Sequence, residues 1–341
     1  MTRRVIRLLD QAPLLDIGSH GRAMSSGRRF TPARVAQIVR TVRRTTEVMV
    51  KVTGGAKSSR SALAHLDYIS RKGELTIETD MGHRLTRAEH RTFLNTWHLE
   101  LTAGQYRRTA PGRPPARRVK LTHNIVLSMP HPTPPDRVLA AARSFARTNF
   151  PLHRYAMVMH TDQKHPHVHL VVKAENELSK RLRIDKAMLQ AWREHFAQLM
   201  RDQEIAANAT RRFLRGQTKR KNADKLLRAQ RRGRSRVMLE RVKSVIVDLY
   251  DGKDMTDPAR AKLVQTRKTL VEQWITAADI LDKQGETTLA REVRRFAKHL
   301  PQVLTDRERL AVDYVLHHQR TKSEEVTRLI QRQRQRHEFT R

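Results

Sequence analysis

Two alternating segments on either side of a short loop constrain the fold of this chain most strongly. Residues 153–160 (HRYAMVMH) and 166–173 (PHVHLVVK) alternate in side-chain character, which predicts β-strands whose two faces differ. Similar patterns predict strands at 47–53, 74–80 and 118–129. The region between residues 47 and 173 is therefore expected to contain a β-sheet.

Helix signals occur between these strands and dominate the chain after them. Thr86 and Glu89 have the spacing of a capping box, Asp185 is a typical N-cap, and Gly73 is a typical helix stop. Helices are predicted after Pro32, over 58–72, from Thr86 to about Leu101, from about Asp136, after Asp185, and at about 237–250, 258–284, 287–300 and 305–338.

The length of 341 residues suggests two domains or one domain with a long appendage. Residues 211–236 form a run of Lys and Arg that separates the mixed pattern from the purely helical one. We predict a basic N-terminal arm with a helix at 1–46, the sheet-containing domain at 47–208, a basic linker or helix at 209–236 and a helical domain at 237–341.

The charge of the chain points to a polyanionic partner. Lys and Arg number 69 against 34 Asp and Glu, for a net charge of +35, so nucleic acid is the expected partner and a membrane surface the second choice. No apolar run is long enough to span a bilayer, and Asp10 and Pro13 interrupt the first hydrophobic stretch before it could act as a signal peptide. We expect a cytoplasmic protein without membrane insertion.

Histidines cluster where the two central strands meet. In a strand over 166–173, His167 and His169 point to the same face, and His160 at the end of the preceding strand could add a third nitrogen. Asp162 could orient one of these imidazoles or bind the metal itself. The chain has 17 histidines, so the pair His167 and His169 could also be an accident of composition on a solvated strand. Because the chain has no cysteine, thiolate metal sites are excluded.

Three segments resemble a known family in the order in which that family carries them. The segment 160–172 (HTDQKHPHVHLVV) is similar to the third motif of conjugative relaxases, the HUH endonucleases of plasmid mobilisation, in the branch that includes the T-DNA border endonuclease. Residues 51–75 resemble the nucleophile motif of that branch, and 122–130 resemble its middle strand. Together the resemblance covers roughly residues 47–215.

The resemblance implies roles for individual residues. Tyr68 falls at the position of the tyrosine that attacks the scissile phosphate, and His160, His167 and His169 fall at those of the metal ligands. Asp162 and His165 also match, and either could act as the base. Arg71 and Lys72 would follow Tyr68 by three and four positions on its helix, and with His65 they could hold a DNA phosphate or favour the phenolate; a solvated basic helix end is the alternative.

The implied fold is a two-layer α+β relaxase domain with a central antiparallel sheet of about five strands, followed by an α-helical C-terminal region. The implied function is nicking of one DNA strand at a plasmid or integrative-element transfer origin by tyrosine transesterification, with Mg²⁺ or Mn²⁺ as cofactor. The implied partners are single-stranded and duplex origin DNA, an accessory origin-binding protein and a type IV secretion coupling protein, and transfer of the protein into the recipient cell is left open.

Three alternatives remain at this point. A metal-dependent nuclease would use water in place of tyrosine, and a non-catalytic DNA-binding protein would keep only the fold and the charge. A replication initiator would use the same chemistry, but here Tyr68 precedes the histidines, as it does in relaxases.

Overall fold

The computed structural model describes residues 29–107, 119–217, 236–252 and 259–316. The chain divides into two compact units. The described residues of the first are 31–107 and 119–210, and those of the second are mainly 211–217, 236–252 and 259–316. Most of the predicted N-terminal arm, most of the basic run at 211–236, and the end of the helix predicted at 305–338 lie outside the described residues.

The first unit is built on one six-stranded sheet in which neighbouring strands are antiparallel. The strands occur in the order β1, β4, β6, β5, β2, β3 across the sheet. Their bounds are β1 Met49–Gly54, β2 Ile77–Thr79, β3 Arg84–Leu85, β4 Thr122–Ser128, β5 Tyr155–His160 and β6 His167–Lys173. The α+β class and the central antiparallel sheet are confirmed; the sixth strand is the two-residue β3, which is too short to leave an alternating pattern.

Three helices of the first unit begin after residues whose side chains accept hydrogen bonds from free backbone amides of the first turn. Thr31, Ser58 and Asp185 each accept a backbone hydrogen bond as N-caps. The helices are α1 Pro32–Val42, α2 Ser59–Ile69, α3 Glu89–Asn95, α4 Leu99–Arg107, α5 Pro135–Asn149 and α6 Lys186–Asp202.

Each face of the sheet packs against its own set of helices. On one face, Ile125, Leu127, Val168 and Leu170 are buried with apolar residues of α5 and α6. On the other face, a shorter row of strand residues that includes Val171 is buried with residues of α2, α3 and α4. The sheet is thus covered by helices on both sides, and α2 lies on the second side.

The helix predicted from Thr86 to about Leu101 is wrong in one respect, because the structure has two helices there. Trp97 is fully buried between α3 and α4, and the next residue, His98, has a positive φ of 49°. Left-handed backbone cannot continue an α-helix, so the chain bends at this point to place the indole in the core. The predicted capping box is only half formed. The Thr86 amide and hydroxyl donate to the Glu89 side chain at 2.7 Å, but α3 begins at Glu89, and its N-cap Ala88 has no side-chain hydrogen bond.

The described part of the second unit is helical, as predicted for the C-terminal region. Its helices are α7 Arg236–Tyr250, α8 Ala259–Lys283 and α9 Thr287–Lys298, and residues 306–316 are also helical. Trp274 of α8 is fully buried and donates from Nε1 to the carbonyl oxygen of Leu214 at 2.9 Å. Within the described residues, none of the helices has the length and apolar character that a bilayer crossing requires.

Candidate active site

Three histidines meet on the sheet face that carries α2. The ring centroids of His160, His167 and His169 lie 4.6 to 5.0 Å apart. Each ring offers one nitrogen, and the three nitrogens lie within 4.8 Å of one another. This is the only group of at least three metal-ligating side chains among the residues that the structure describes. The set predicted from spacing is therefore brought together.

The pairing of β5 with β6 places these side chains. His160 is directly opposite His167 in the antiparallel register, and His169 is opposite Val158. Because successive residues of a strand point to opposite faces, His167 and His169 share one face while Val168 and Leu170 enter the core beneath α5 and α6. The alternation that forms the core thus also forms the cluster.

Hydrogen bonds fix the proton on two of the rings. The Nε2 of His160 lies 2.6 Å from the carbonyl oxygen of Ile69, and the Nδ1 of His167 lies 2.9 Å from that of His165. A carbonyl oxygen only accepts, so each of these nitrogens carries the hydrogen and leaves the other nitrogen of its ring with a lone pair. Neutral imidazoles with a fixed tautomer are good metal ligands.

Burial keeps two members of the cluster uncharged. It lowers the pKa of His169 to about 3, with the neighbouring His160 and His167 acting in the same direction. Burial also lowers the pKa of His160, whose ring is almost completely enclosed. At neutral pH these rings carry no proton that a cation would have to displace.

Tyr68 lies at the end of α2, on the cluster side of the sheet. Its helix is held at the other end by a reciprocal capping box between Ser58 and Ser61. The Tyr68 side chain is 62% exposed, which is unusual for a tyrosine flanked in sequence by the buried Leu66 and Ile69. The phenol is therefore accessible to a large ligand.

Two neighbours flank the Tyr68 ring. The His65 ring stacks near it with 6.3 Å between centroids, and the Arg71 guanidinium carbon lies 5.8 Å from the Tyr68 centroid. Burial lowers the pKa of His65, so this residue is a neutral partner and not the cation that we expected. Arg71 is the positive charge at the ring.

The helical placement predicted for Arg71 and Lys72 is wrong. The α-helix ends at Ile69, and Arg71 and Lys72 adopt positive φ angles of 54° and 59° in a short 3-10 turn that ends at Gly73. Lys72 is exposed in this turn. Arg71 instead reaches back toward the histidines, and the spacing of helical residues could not have shown this.

Asp162 and His165 lie in the loop between β5 and β6 and have different surroundings. An Oδ2 of Asp162 accepts a hydrogen bond from Arg71 at 2.6 Å, and its Oδ1 lies 3.7 Å from the Nδ1 of His160. The bond to Arg71 holds the pKa of Asp162 below its usual value. The Nδ1 of His165 accepts from the backbone amide of His131 at 3.2 Å, so its ring is engaged with the segment after β4.

Sequence comparisons find relatives of part of this chain. Residues 68–205 match the family model described as a MobA/VirD2-like relaxase nuclease domain. The T-DNA border endonuclease VirD2 of Agrobacterium fabrum is 29% identical over 190 residues, which are 51% of this chain and 42% of that protein. VirD2 of Rhizobium rhizogenes is 28% identical over 137 residues, or 37% of this chain and 30% of that protein. The chain thus spans less than half the length of these relatives.

Among solved structures, the Mn-bound relaxase domain of MobM with oriT DNA of plasmid pMV158 covers 54% of this chain and 98% of its own, at 13% identity and a TM-score of 0.35. A second crystal structure of that domain gives 14% identity and a TM-score of 0.36. The sequence match, and not this distant structural likeness, confirms the predicted resemblance to the branch that includes the T-DNA border endonuclease.

Proposed function

We propose that this chain, whose residues 68–205 match a MobA/VirD2-like relaxase nuclease domain, nicks one DNA strand at the transfer origin of a plasmid or integrative element. Tyr68 is the nucleophile in this proposal. The observation that carries it is the connection between the exposed Tyr68 at the end of α2 and the histidine cluster, made by the bond from His160 to the carbonyl of Ile69.

The reaction exchanges one ester for another. The Tyr68 oxygen loses its proton and forms a bond to the scissile phosphorus, and the bond from phosphorus to the 3′ oxygen breaks. The leaving oxygen takes up a proton and becomes a free 3′-hydroxyl, while the 5′ phosphate stays on the tyrosine. Because a phosphodiester is replaced by a phosphodiester, the strand can be rejoined after transfer.

His160, His167 and His169 would hold a divalent cation, Mg²⁺ or Mn²⁺. The donor set fits, because the three nitrogens are close together and two rings are kept neutral by burial. Such a cation supplies Lewis-acid stabilisation of the charge on the phosphate oxygens. The remaining open positions would be available to the DNA, as in catalytic metal sites generally.

Deprotonation of the phenol needs help, because a free tyrosine has a pKa of about 10. The Arg71 guanidinium places a positive charge beside the Tyr68 ring. Asp162 and His165 are the candidate bases. In this structure Asp162 binds Arg71 through Oδ2, which leaves Oδ1 able to accept a proton, whereas the Nδ1 of His165 accepts from the His131 amide and would act only after exchanging that partner.

The DNA substrate must be single-stranded at the nick, since Tyr68 and the cluster need access to the same phosphate. The net charge of +35 provides affinity for the backbone of single-stranded and duplex origin DNA, and that affinity should fall steeply with salt. Action in the bacterial cytoplasm, an accessory origin-binding protein and a type IV secretion coupling protein are parts of the same proposal.

A denaturing gel tests this function directly. The full chain is incubated with Mn²⁺ and single-stranded oligonucleotides that tile the DNA around its gene, beside Tyr68→Phe and His167→Ala. We expect a metal-dependent adduct that survives denaturant and is lost in both variants. Cleavage without an adduct that persists in Tyr68→Phe would replace the proposal by a nuclease that uses water; DNA binding without any cleavage would favour the non-catalytic alternative.

A further inference from the structure

Arg71 contacts three groups that belong to separate parts of the site. Its guanidinium donates to the Asp162 carboxylate at 2.6 Å, and the same nitrogen lies 3.4 Å from the Nδ1 of His160. It also lies over the Tyr68 ring, with 5.8 Å between the guanidinium carbon and the ring centroid. Arg71 therefore joins the tyrosine at the end of α2 to the loop and strand that carry Asp162 and His160.

The backbone at Arg71 makes these contacts possible. Arg71, Lys72 and Gly73 have successive positive φ angles of 54°, 59° and 96°. Residues with a Cβ rarely adopt this region, and two in succession persist only where the surroundings hold them. The turn places the Arg71 side chain over Tyr68 and within reach of Asp162 and His160.

The turn is held by several hydrogen bonds. The carbonyl oxygen of Ser70 accepts from the amides of Gly73 and Leu75 at 3.0 and 2.8 Å, and its side-chain oxygen accepts from Gly73 at 3.2 Å. A Cβ on Gly73 would lie 2.5 Å from the Cβ of Arg87, so this neighbour also fits only a glycine. The turn is thus a built feature of the domain and not a frayed helix end.

We propose that Arg71 is a positioning residue, which holds the Tyr68 side chain and the Asp162 carboxylate in their places relative to the histidine cluster. This inference rests on the proposed function and deepens it, because it gives Arg71 a role beyond phosphate binding. A cation bound through the Nδ1 of His160 would replace the 3.4 Å contact of Arg71, so the contacts to Tyr68 and Asp162 carry the role.

Arginine is suited to this place because its planar fork can bind a carboxylate while its face rests on an aromatic ring. Lysine has one charged nitrogen and cannot make both contacts in the same way. Arg71→Lys should therefore fail nearly as fully as Arg71→Gln, although it keeps the charge. A residue that only attracted phosphate would be replaced by lysine with little loss.

The test separates the rate of reaction from the affinity for DNA. Adduct formation is measured at saturating single-stranded oligonucleotide, and DNA affinity by fluorescence anisotropy, for the full chain, Arg71→Gln, Arg71→Lys and the exposed control Arg91→Gln on α3. We expect both Arg71 variants to lower the saturating rate by about tenfold or more, while Kd for DNA changes by less than about threefold. Arg91→Gln should match the unaltered protein in both measurements.

Two outcomes would overturn the role. If Arg71→Gln weakens DNA binding but reacts at the unaltered rate when saturated, Arg71 is a phosphate-binding residue only. If Arg71→Lys restores the full rate, the charge suffices and positioning is not needed. Melting temperatures and Mn²⁺ titrations of each variant show whether a lost rate comes from a damaged fold or from loss of the metal. If Arg71→Gln has either defect, the role of Arg71 is decided by the rate of Arg71→Lys.

Hydrogen exchange provides a measurement that does not depend on nicking. Amides in a peptide covering 66–75 should exchange faster in Arg71→Gln than in the unaltered protein, and Arg91→Gln should leave them unchanged. Unaltered exchange in Arg71→Gln would contradict the positioning role even if the protein forms adducts. Absence of adducts in the unaltered protein would instead contradict the proposed function. The hydrogen-exchange result would still test whether Arg71 holds the 66–75 segment in place.

Discussion

His160 donates a hydrogen bond from Nε2 to the carbonyl oxygen of Ile69 over 2.6 Å, and so fastens the last turn of α2 to the histidine cluster. The last carbonyls of a helix have no partner within the helix, and one that is buried needs a donor from elsewhere. His160 is 1% exposed and supplies that donor. One side chain therefore serves both as a candidate metal ligand and as the anchor of the helix that carries Tyr68.

We predict that His160→Ala destabilises the metal-free protein by about 2 to 4 kcal/mol, because it leaves a cavity and an unpaired carbonyl at Ile69. His167→Ala should cost less, since the Nδ1 of His167 bonds only to the nearby carbonyl of His165 within its own loop. Urea unfolding of both variants in the presence of a chelator measures the difference. Equal losses in the free energy of unfolding would contradict an anchoring role for the hydrogen bond from His160 to Ile69.

The ligand set predicts the outcome of a metal titration. Calorimetry should find one Mn²⁺ per chain, and the double variant His167→Ala/His169→Ala should lose this binding. Asp162→Asn should keep the stoichiometry, because the Asp162 carboxylate is bound to Arg71 and lies outside the three-nitrogen group. Loss of binding in Asp162→Asn would make the carboxylate a ligand.

Gly73→Ala should be markedly more harmful than Gly82→Ala. Both glycines have positive φ, 96° and 79°, so each alanine would be strained in the backbone by about 1 kcal/mol. Only Gly73 is also crowded, with Arg87 where the Cβ would lie; nothing is near Gly82. The difference between the two free energies of unfolding isolates the crowding, and the adduct rate should fall only in Gly73→Ala.

Stability should decrease in mild acid partly through His123. Burial, and then the charges of Lys120 and Arg181, lower the pKa of this residue to about 4. Below about pH 6.5, the pKa of an unfolded histidine, the unfolded chain takes up a proton at His123 that the folded protein does not take up. The contribution of His123 to stability is therefore complete above that pH and is lost as the pH falls toward about 4. His123→Leu should remove about 1 kcal/mol of the decrease between about pH 7.5 and pH 5 after allowance for solvent screening. An unchanged pH dependence would contradict this assignment.

Much of the fold could be predicted because the deciding signals are local. The alternating strands and the N-cap at Asp185 depend on a few neighbouring residues, and the structure has elements at each of them. The break at His98 could not be predicted, since it depends on burial of Trp97 in a core assembled from distant segments. The helical coverage of both sheet faces is likewise a result of tertiary packing.

The candidate site could likewise be predicted only in part from the sequence. The meeting of His160, His167 and His169 follows from strand alternation over a short loop, which sequence reasoning can use. The contacts of Arg71 could not be predicted in this way, because they require a turn with positive φ angles and a partner 91 residues away in the chain. His65 shows the same limit, as its neutral state is set by burial that spacing alone does not reveal.

The pairing of β5 and β6 has a consequence for how errors in folding would appear. A slip of β6 by one residue would turn Val168 and Leu170 toward Tyr68 and place His167 and His169 in the apolar layer under α5 and α6. Such a misaligned chain would lose both the histidine cluster and part of its hydrophobic interior. Correct registration of the β5–β6 hairpin is therefore required both to bury Val168 and Leu170 and to assemble the histidine cluster.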